Sequence, residues 1–504
     1  MKIARYPFYP FLLLFVLLFI YYLRWTYISP YVRSWDEVDF ILALDRFDLL
    51  AMQPHFPGYP FFILGGKLFY QWIESASKAL SLWNVFISAI SSLPIFLLAR
   101  QTFTIQKSLF VTLFVQSFAY LFIIQTQPMS EATAIACLWW YIWSLHLALK
   151  KKSILYSLLP LLFFGLLMGI RLSYIAYGLG ILLLWYHEYR QNNLSLKKLS
   201  IYLFLAIFFQ LFWISGLVLT EGSLRGFIEL SFAFTQGHFQ DWGGAITATP
   251  DPLWERFFTL VFINLFWIGL CGESPTSALL LLILVGIYVY TLIKRRKPLD
   301  SFDQWMWILT FAYFLWALFA QNIEKPRHIS PLVGMIGFLL IKQLLKNIQS
   351  IKSVNLWKKS LLLNTICLFL FTQISQGIDW LDKQVTEKPA IYQMAQTLST
   401  EGDNVILYTW EETRVLQYIQ APFSHRKIFT YDYFIEEIQS FPDRKIYVTN
   451  KVLEGFDRQG IDYMDRVKLI HKFHSSAIFD PVYGDILIYQ WIPEKIMDNL
   501  ENSS

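Results

Sequence analysis

The sequence predicts a mainly α, polytopic transmembrane protein with a small α/β domain at its C-terminal end, and three observations carry that reading. Across 504 residues, 55% are hydrophobic and 18% aromatic, with a mean hydropathy of +0.42, which is too apolar for an ordinary soluble enzyme. Apolar runs recur as far as Ile374, separated by short clusters of Lys and Arg. Beyond Gln376 the pattern changes to short β-branched and aromatic runs between turn residues.

A helix needs about 20 residues to cross about 30 Å of hydrocarbon. About 11 runs approach that length: Phe8 to Leu23, Leu80 to Leu98, Leu109 to Ile124, Ala132 to Leu149, Ile154 to Ile170, Leu172 to Tyr186, Ile201 to Leu219, Ala278 to Ile293, Trp305 to Ala320, Ile329 to Ile341 and Leu361 to Ile374. Lys2 and Arg5 precede the first, and bulky Tyr21, Tyr22 and Trp25 stand where a signal peptide would be cut, so the run is expected to stay as an uncleaved span.

Orientation follows from the basic loops. Lys2, Arg5, Arg100, Lys107, Lys150 to Lys152, Lys197, Lys198, Lys294 to Lys297 and the lysines from 342 to 359 fall on one side, expected to be cytoplasmic. The acidic stretch 36–39, Glu131, Arg171, a loop over 220–256 and the run 324–328 fall on the other, expected to be extracytoplasmic. Phe257 to Leu270 would invert the later clusters if it crossed, and is therefore expected to be re-entrant or interfacial. Pro60 to Ala79, apolar around Lys67 and Glu74, is expected to lie on the membrane surface within a first external loop over 24–79.

The boundary is placed between a membrane region, 1–376, and an extracytoplasmic α/β domain, 377–504. Strands are expected at Asn404 to Tyr408, Lys427 to Tyr431, Lys445 to Thr449, Val467 to His471 and Ile486 to Tyr489. Helices are expected at Glu412 to Ile419 and Tyr433 to Gln439. This domain carries no Gly-rich phosphate loop, metal-ligand spacing or nucleophile elbow, so a substrate-shaping or scaffold role suits it better than independent catalysis. Cys137, Cys271 and Cys367 lie in or beside apolar runs and indicate no disulfide framework. A net charge of +5, spread over short clusters, excludes a nucleic-acid footprint.

Asp36, Glu37 and Asp39 follow the first span directly, in a chain with 16% charged residues. Clustered carboxylates oppose each other's ionisation, which suits a proton acceptor or a cation site. On a helical turn Asp36 and Asp39 share a face while Glu37 points about 100° away, so Asp36 pairs with one or the other. A solvated acidic loop is the plain alternative.

Several features resemble the GT-C superfamily of membrane glycosyltransferases, particularly the branch of protein O-mannosyltransferases and lipid A aminoarabinose transferases. They are Asp36-Glu37 after the first span, His55-Phe56-Pro57-Gly58-Tyr59-Pro60, Ser130-Glu131, Gly165 to Arg171, and Glu324-Lys325-Pro326-Arg327-His328 with Pro331. The resemblance implies a cavity at the outer leaflet of the plasma membrane (the inner membrane in a bacterium) and a sugar donor on a polyprenyl-phosphate carrier. It also implies an acceptor hydroxyl on a glycan, lipid or protein, and transfer with inversion. It puts the base on Asp36, with Glu37 as the second member of the Asp-Glu pair.

Transfer from such a donor also needs cations for the departing phosphate. Arg171, Lys325 and Arg327 suit that task, because Arg at a span end can fork two oxygens; Lys325 has a snorkelling role as its alternative. His55 either contacts phosphate, helps Asp36 hold a divalent cation such as Mg or Mn, or packs against prolines; His328 is similar. Glu131 is expected to favour its helix N-terminus electrostatically. His238, Asp241 and Trp242 form a glycine-rich aromatic patch suited to a sugar ring, or else a plain turn. The competing classes are a transporter, which would carry ionisable groups at the midplane and matched broken spans, and a non-catalytic component of envelope glycan assembly.

Overall fold

The computed structural model describes residues 8–151, 153–248, 251–294, 300–350 and 356–492. Of the residues used above for orientation, Lys2, Arg5, Lys152, Arg295, Arg296, Lys297 and Lys352 lie outside these ranges, as do residues 493–504 of the expected C-terminal domain. The chain forms two compact units, Met1–Ser29 with Phe40–Gln384, and Pro30–Asp39 with Val385–Ser504.

The first unit is helical. Among the described residues, seven helices are long and apolar enough to cross a membrane: Ala76–Arg100, Glu131–Lys150, Leu196–Glu221, Leu253–Leu270, Pro275–Lys294, Pro326–Gln349 and Leu356–Leu398. Pro10–Thr26 and Ile154–Ile170 are shorter apolar helices.

Two expected spans are interrupted. The run from Leu109 to Ile124 divides into helices Ile105–Gln116 and Ala119–Ile124, because Ala119 gives its N–H to Gln373 Oε1, 2.9 Å away, instead of continuing the ladder. The run from Leu172 to Tyr186 opens as a 3₁₀ segment, Leu172–Gly178, before the helix Leu179–Arg190; the Tyr177 carbonyl accepts a 2.7 Å bond from the Tyr141 hydroxyl. Leu253–Leu270 is continuous and includes a π-helical part, Thr259–Leu270. The expected surface helix ends at Tyr70, and the next begins at Ala76, where the Ser75 side chain accepts from Lys78 N. The expected loop over 220–256 is largely a 17-residue helix, Leu224–Gln240.

Small residues set the closest approaches. A Cβ on Gly165 would come within 2.8 Å of Phe209 Cβ, and one on Gly66 within 2.4 Å of Leu80 Cδ2. Buried polar groups hold helix ends. Arg24 is fully buried and gives Nη1 to Gln125 Oε1 (2.6 Å) and Nη2 to the Gln116 carbonyl (2.5 Å). Arg256, equally buried, donates to the carbonyls of Leu318 and Gln321, satisfying the end of helix Ser301–Ala320. Lys342, counted above among the basic residues of the cytoplasmic side, is buried against Asp303.

In the second unit, strands β1 (Val405–Thr409), β2 (Ser424–Lys427), β3 (Lys445–Thr449), β4 (Val467–His474) and β5 (Asp485–Trp491) form one sheet in the order β2-β1-β3-β5-β4. The first three are parallel, and β5 pairs antiparallel with both β3 and β4. Helices Glu412–Tyr418 and Tyr431–Ile438 make the crossovers, as parallel strands require. Ile406, Tyr408, Ile428, Phe434, Val448, Phe456 and Trp491 form the core.

β2 lies earlier than expected. Ile428 gives its N–H to Thr409 O at 3.1 Å and buries its side chain, after which Phe429 turns out to solvent and Tyr431 opens a helix. The expected division at 376/377 falls inside the continuous helix Leu356–Thr386; the units divide at 384/385.

Candidate active site

Each unit holds one cluster of the residues singled out above. In the first, the cluster is built on helix ends. Glu131 is the first residue of helix Glu131–Lys150, Arg171 directly follows helix Ile154–Ile170, and Arg327 lies in the turn Pro326–Ile329 before helix Ser330–Ser350. Glu131 Oε1 lies 3.1 Å from Arg171 Nη2 and 3.0 Å from Arg327 Nε, with its own side chain 1% exposed.

Arg171 also gives Nη1 to Ser130 Oγ at 2.8 Å, and its Nη2 lies 3.3 Å from His328 Nδ1. Since guanidinium only donates, the His328 ring nitrogen is the acceptor in that contact. The Tyr313 hydroxyl donates to the His328 carbonyl at 2.8 Å and fixes that turn. Two guanidinia thus share one carboxylate, leaving the group cationic and rich in N–H donors in an apolar setting. A phosphate is the ligand such a group suits. Lys325, half-buried, makes no hydrogen bond or ion pair with another described residue through its side chain.

His55 shares a 3.0 Å hydrogen bond with the Tyr59 hydroxyl, and its ring lies 5.4 Å from Phe40 and 6.3 Å from Phe234, nearly parallel to the latter. The tight turn there needs Gly58 at φ +87°, where a Cβ would also meet Leu217 Cδ2 at 2.8 Å. His238 stands in the last turn of helix Leu224–Gln240 and gives Nε2 to the Ala320 carbonyl at 2.8 Å. That bond is a structural tie. Trp242 packs edge-on against Phe234 at 4.7 Å while remaining 52% exposed, and Asp241 is exposed beside it.

In the second unit, Asp36 and Glu37 lie in the first turn of helix Trp35–Asp45. The three carboxylates have different surroundings, so the expected acidic cluster is split. Glu37 is buried and accepts from Arg33 N at 2.6 Å. Burial pulls the Arg33 guanidinium below its ordinary pKa, opposed first by Glu37 and then by Asp480. Asp39 is fully buried: Arg414 gives Nε and Nη2 to its Oδ1 at 2.9 and 2.8 Å, and Trp35 Nε1 donates to Oδ2 at 3.1 Å. Asp39, expected as a substrate or cation contact, is thus paired with Arg414. Asp36 is half-buried.

Among the described residues, no three His, Cys, Asp or Glu side chains group to hold a metal ion. A Mg ion held by Asp36 would draw most of its ligands from water and substrate phosphate, as Mg bound through one or two carboxylates does.

Sequence reasoning missed Glu131 as the meeting point of the two guanidinia. The signal was present, since Ser130-Glu131 opens a helix on the side expected to carry Arg171 and Arg327; the helix-dipole reading absorbed it.

No family model and no curated protein sequence matches the chain. Solved structures do. ArnT from Cupriavidus metallidurans bound to undecaprenyl phosphate is 10% identical, with a TM-score of 0.57 over 96% of this chain and 98% of that one. The archaeal oligosaccharyltransferase AglB from Archaeoglobus fulgidus, in complex with an inhibitory peptide and a dolichol-phosphate, is 10% identical, with a TM-score of 0.50 over 88% of this chain and 70% of that one. The arabinofuranosyltransferase AftD from Mycobacteria is 12% identical, with a TM-score of 0.50 over 96% of this chain and 40% of that one. From the helical first unit to the C-terminal sheet, the chain has the fold of the GT-C glycosyltransferases.

Proposed function

We propose that the protein is an inverting glycosyltransferase that moves a sugar from a polyprenyl-phosphate carrier to an acceptor hydroxyl at the extracytoplasmic face of the plasma membrane. The observation that carries this reading is the convergence of Arg171 and Arg327 on Glu131, with His328 beside them. It builds a cationic donor array on three helix ends, in a fold shared with an ArnT bound to undecaprenyl phosphate. In this reading the guanidinia take the carrier phosphate and stabilise the charge that develops as the glycosidic bond breaks. Lys325 adds a cation directly before the same turn. Asp36 takes the proton of the acceptor hydroxyl. Glu37 and Asp39, committed to Arg33 and Arg414, keep the first turn of helix Trp35–Asp45 in place.

Reconstituted proteoliposomes given a polyprenyl-phosphate donor with a radiolabelled sugar separate this reading from its rivals. Transfer of label to an acceptor supports it. Movement of unaltered donor across the bilayer indicates a transporter, and neither outcome indicates a non-catalytic assembly component.

A further inference from the structure

The second unit carries a cluster that the transferase reading does not use. The Lys427 ammonium lies 4.4 Å from the Trp35 ring centroid, 4.6 Å from Trp410 and 4.9 Å from Phe429. It makes no hydrogen bond or ion pair with another described residue. Ring faces stabilise a cation, but they take none of its three N–H donors along a lone pair. Burial lowers the Lys427 pKa, with Glu411, Glu412 and Asp39 opposing that from a distance. A lysine used only for packing would carry its charge to water or to one of these carboxylates.

The surrounding rings are held in place. Trp35 is fixed by its bond to Asp39 and by the Arg414 guanidinium 5.4 Å from its ring. Trp410 gives its backbone N–H to Glu412 Oε2 at 2.8 Å and meets Phe429 edge-on at 5.2 Å. Phe429 is 62% exposed, an unusual position for a large apolar side chain beside two other aromatics and a cation.

The cluster also has a definite place on the sheet. Trp410 directly follows β1, Lys427 ends β2 and Phe429 lies just beyond it, so all three stand at the carboxyl edge of parallel strands. Ligands of open α/β sheets bind outside the carboxyl ends of the strands, the edge on which these three residues stand.

We propose that this edge binds a sugar bearing an anionic group, with the ring laid against Phe429 and Trp410 and a phosphate or carboxylate oxygen accepting from the Lys427 ammonium. The proposal deepens the transferase reading by giving the acceptor a chemistry, and rests on that reading only for calling the occupant an acceptor.

Ligand-observed NMR on the full chain in detergent, with glucose 1-phosphate, glucuronate, glucose and inorganic phosphate as probes, tests it without turnover. Glucose 1-phosphate or glucuronate is expected to bind at least tenfold more tightly than either glucose or inorganic phosphate, and whichever of the two is tighter identifies the anionic group. Lys427→Met should weaken the charged sugars at least tenfold and leave glucose unchanged. Phe429→Ala, at an exposed position that spares the fold, should weaken all three sugars. Absence of binding, inorganic phosphate binding as tightly as the charged sugars, or equal binding by wild type and Phe429→Ala would overturn the proposal. Because no transfer is measured, any of these results leaves the transferase reading to its own test.

Discussion

Arg414 grips Asp39 through Nε and Nη2 on a single carboxylate oxygen, at 2.9 and 2.8 Å, with the aspartate fully buried. This contact gives three neighbouring acids different surroundings: Asp39 is tied to Arg414, Glu37 accepts from Arg33 N, and Asp36 is half-buried. Removing one partner of a buried pair strands a charge, at a cost of roughly 3–5 kcal/mol. Arg414→Ala is therefore expected to lower the melting temperature of the detergent-solubilised protein and expose the second unit to protease. Arg414→Lys, which keeps the charge and loses the fork, should fall between that variant and wild type.

Arg171 and Arg327 meet the same oxygen of Glu131, so their contributions are coupled. In Arg171→Ala and Arg327→Ala, the remaining guanidinium still neutralises the carboxylate. The double variant leaves it alone. A double-mutant cycle on stability should depart from additivity by roughly 1–3 kcal/mol. Each single variant should also raise the KM for donor at least tenfold, while a Glu131→Gln chain keeps both cations and loses their alignment.

Glu412 gives a pH dependence. Burial, the largest cause, raises its carboxyl to about 7 from 4.5, with hydrogen bonds from backbone N–H groups acting in the opposite direction. The folded state therefore holds a proton that the unfolded state has released between those two values. Stability should fall as pH rises through that window, by up to about 3 kcal/mol. Glu412→Gln should flatten the melting temperature between pH 5 and pH 8, measured on the full chain, and stabilise it most at the alkaline end.

The helical first unit and the sheet unit were both legible in the sequence, because hydropathy and alternation report directly on burial. β3 matched end to end, and Glu412 to Ile419 missed only by a terminal residue. The failures share a cause. Ser117 and the segment from Leu172 to Gly178 are apolar by neighbourhood, and their backbone breaks depend on partners far away in sequence, Gln373 and Tyr141. β2 was displaced because Lys427 to Tyr431 has strand-like residues but sits where the chain leaves the sheet. For the site, Arg171 and Arg327 were singled out as phosphate-binding cations at span ends on one side, and the structure brings both to Glu131. The pairing of Asp39 was not legible because Arg414 is 375 residues away in the chain. Glu131 does open its helix as expected, and that sufficient local explanation hid its pairing with two guanidinia.

The central claim, that this fold performs sugar transfer with Asp36 as base, is tested most directly by turnover of a radiolabelled polyprenyl-phosphate donor in proteoliposomes carrying wild type or Asp36→Asn. The predicted result is that Asp36→Asn keeps the wild-type melting temperature and donor affinity while its turnover falls by a factor on the order of 10²–10⁴, the span expected for loss of a general base. Turnover equal to wild type would contradict it.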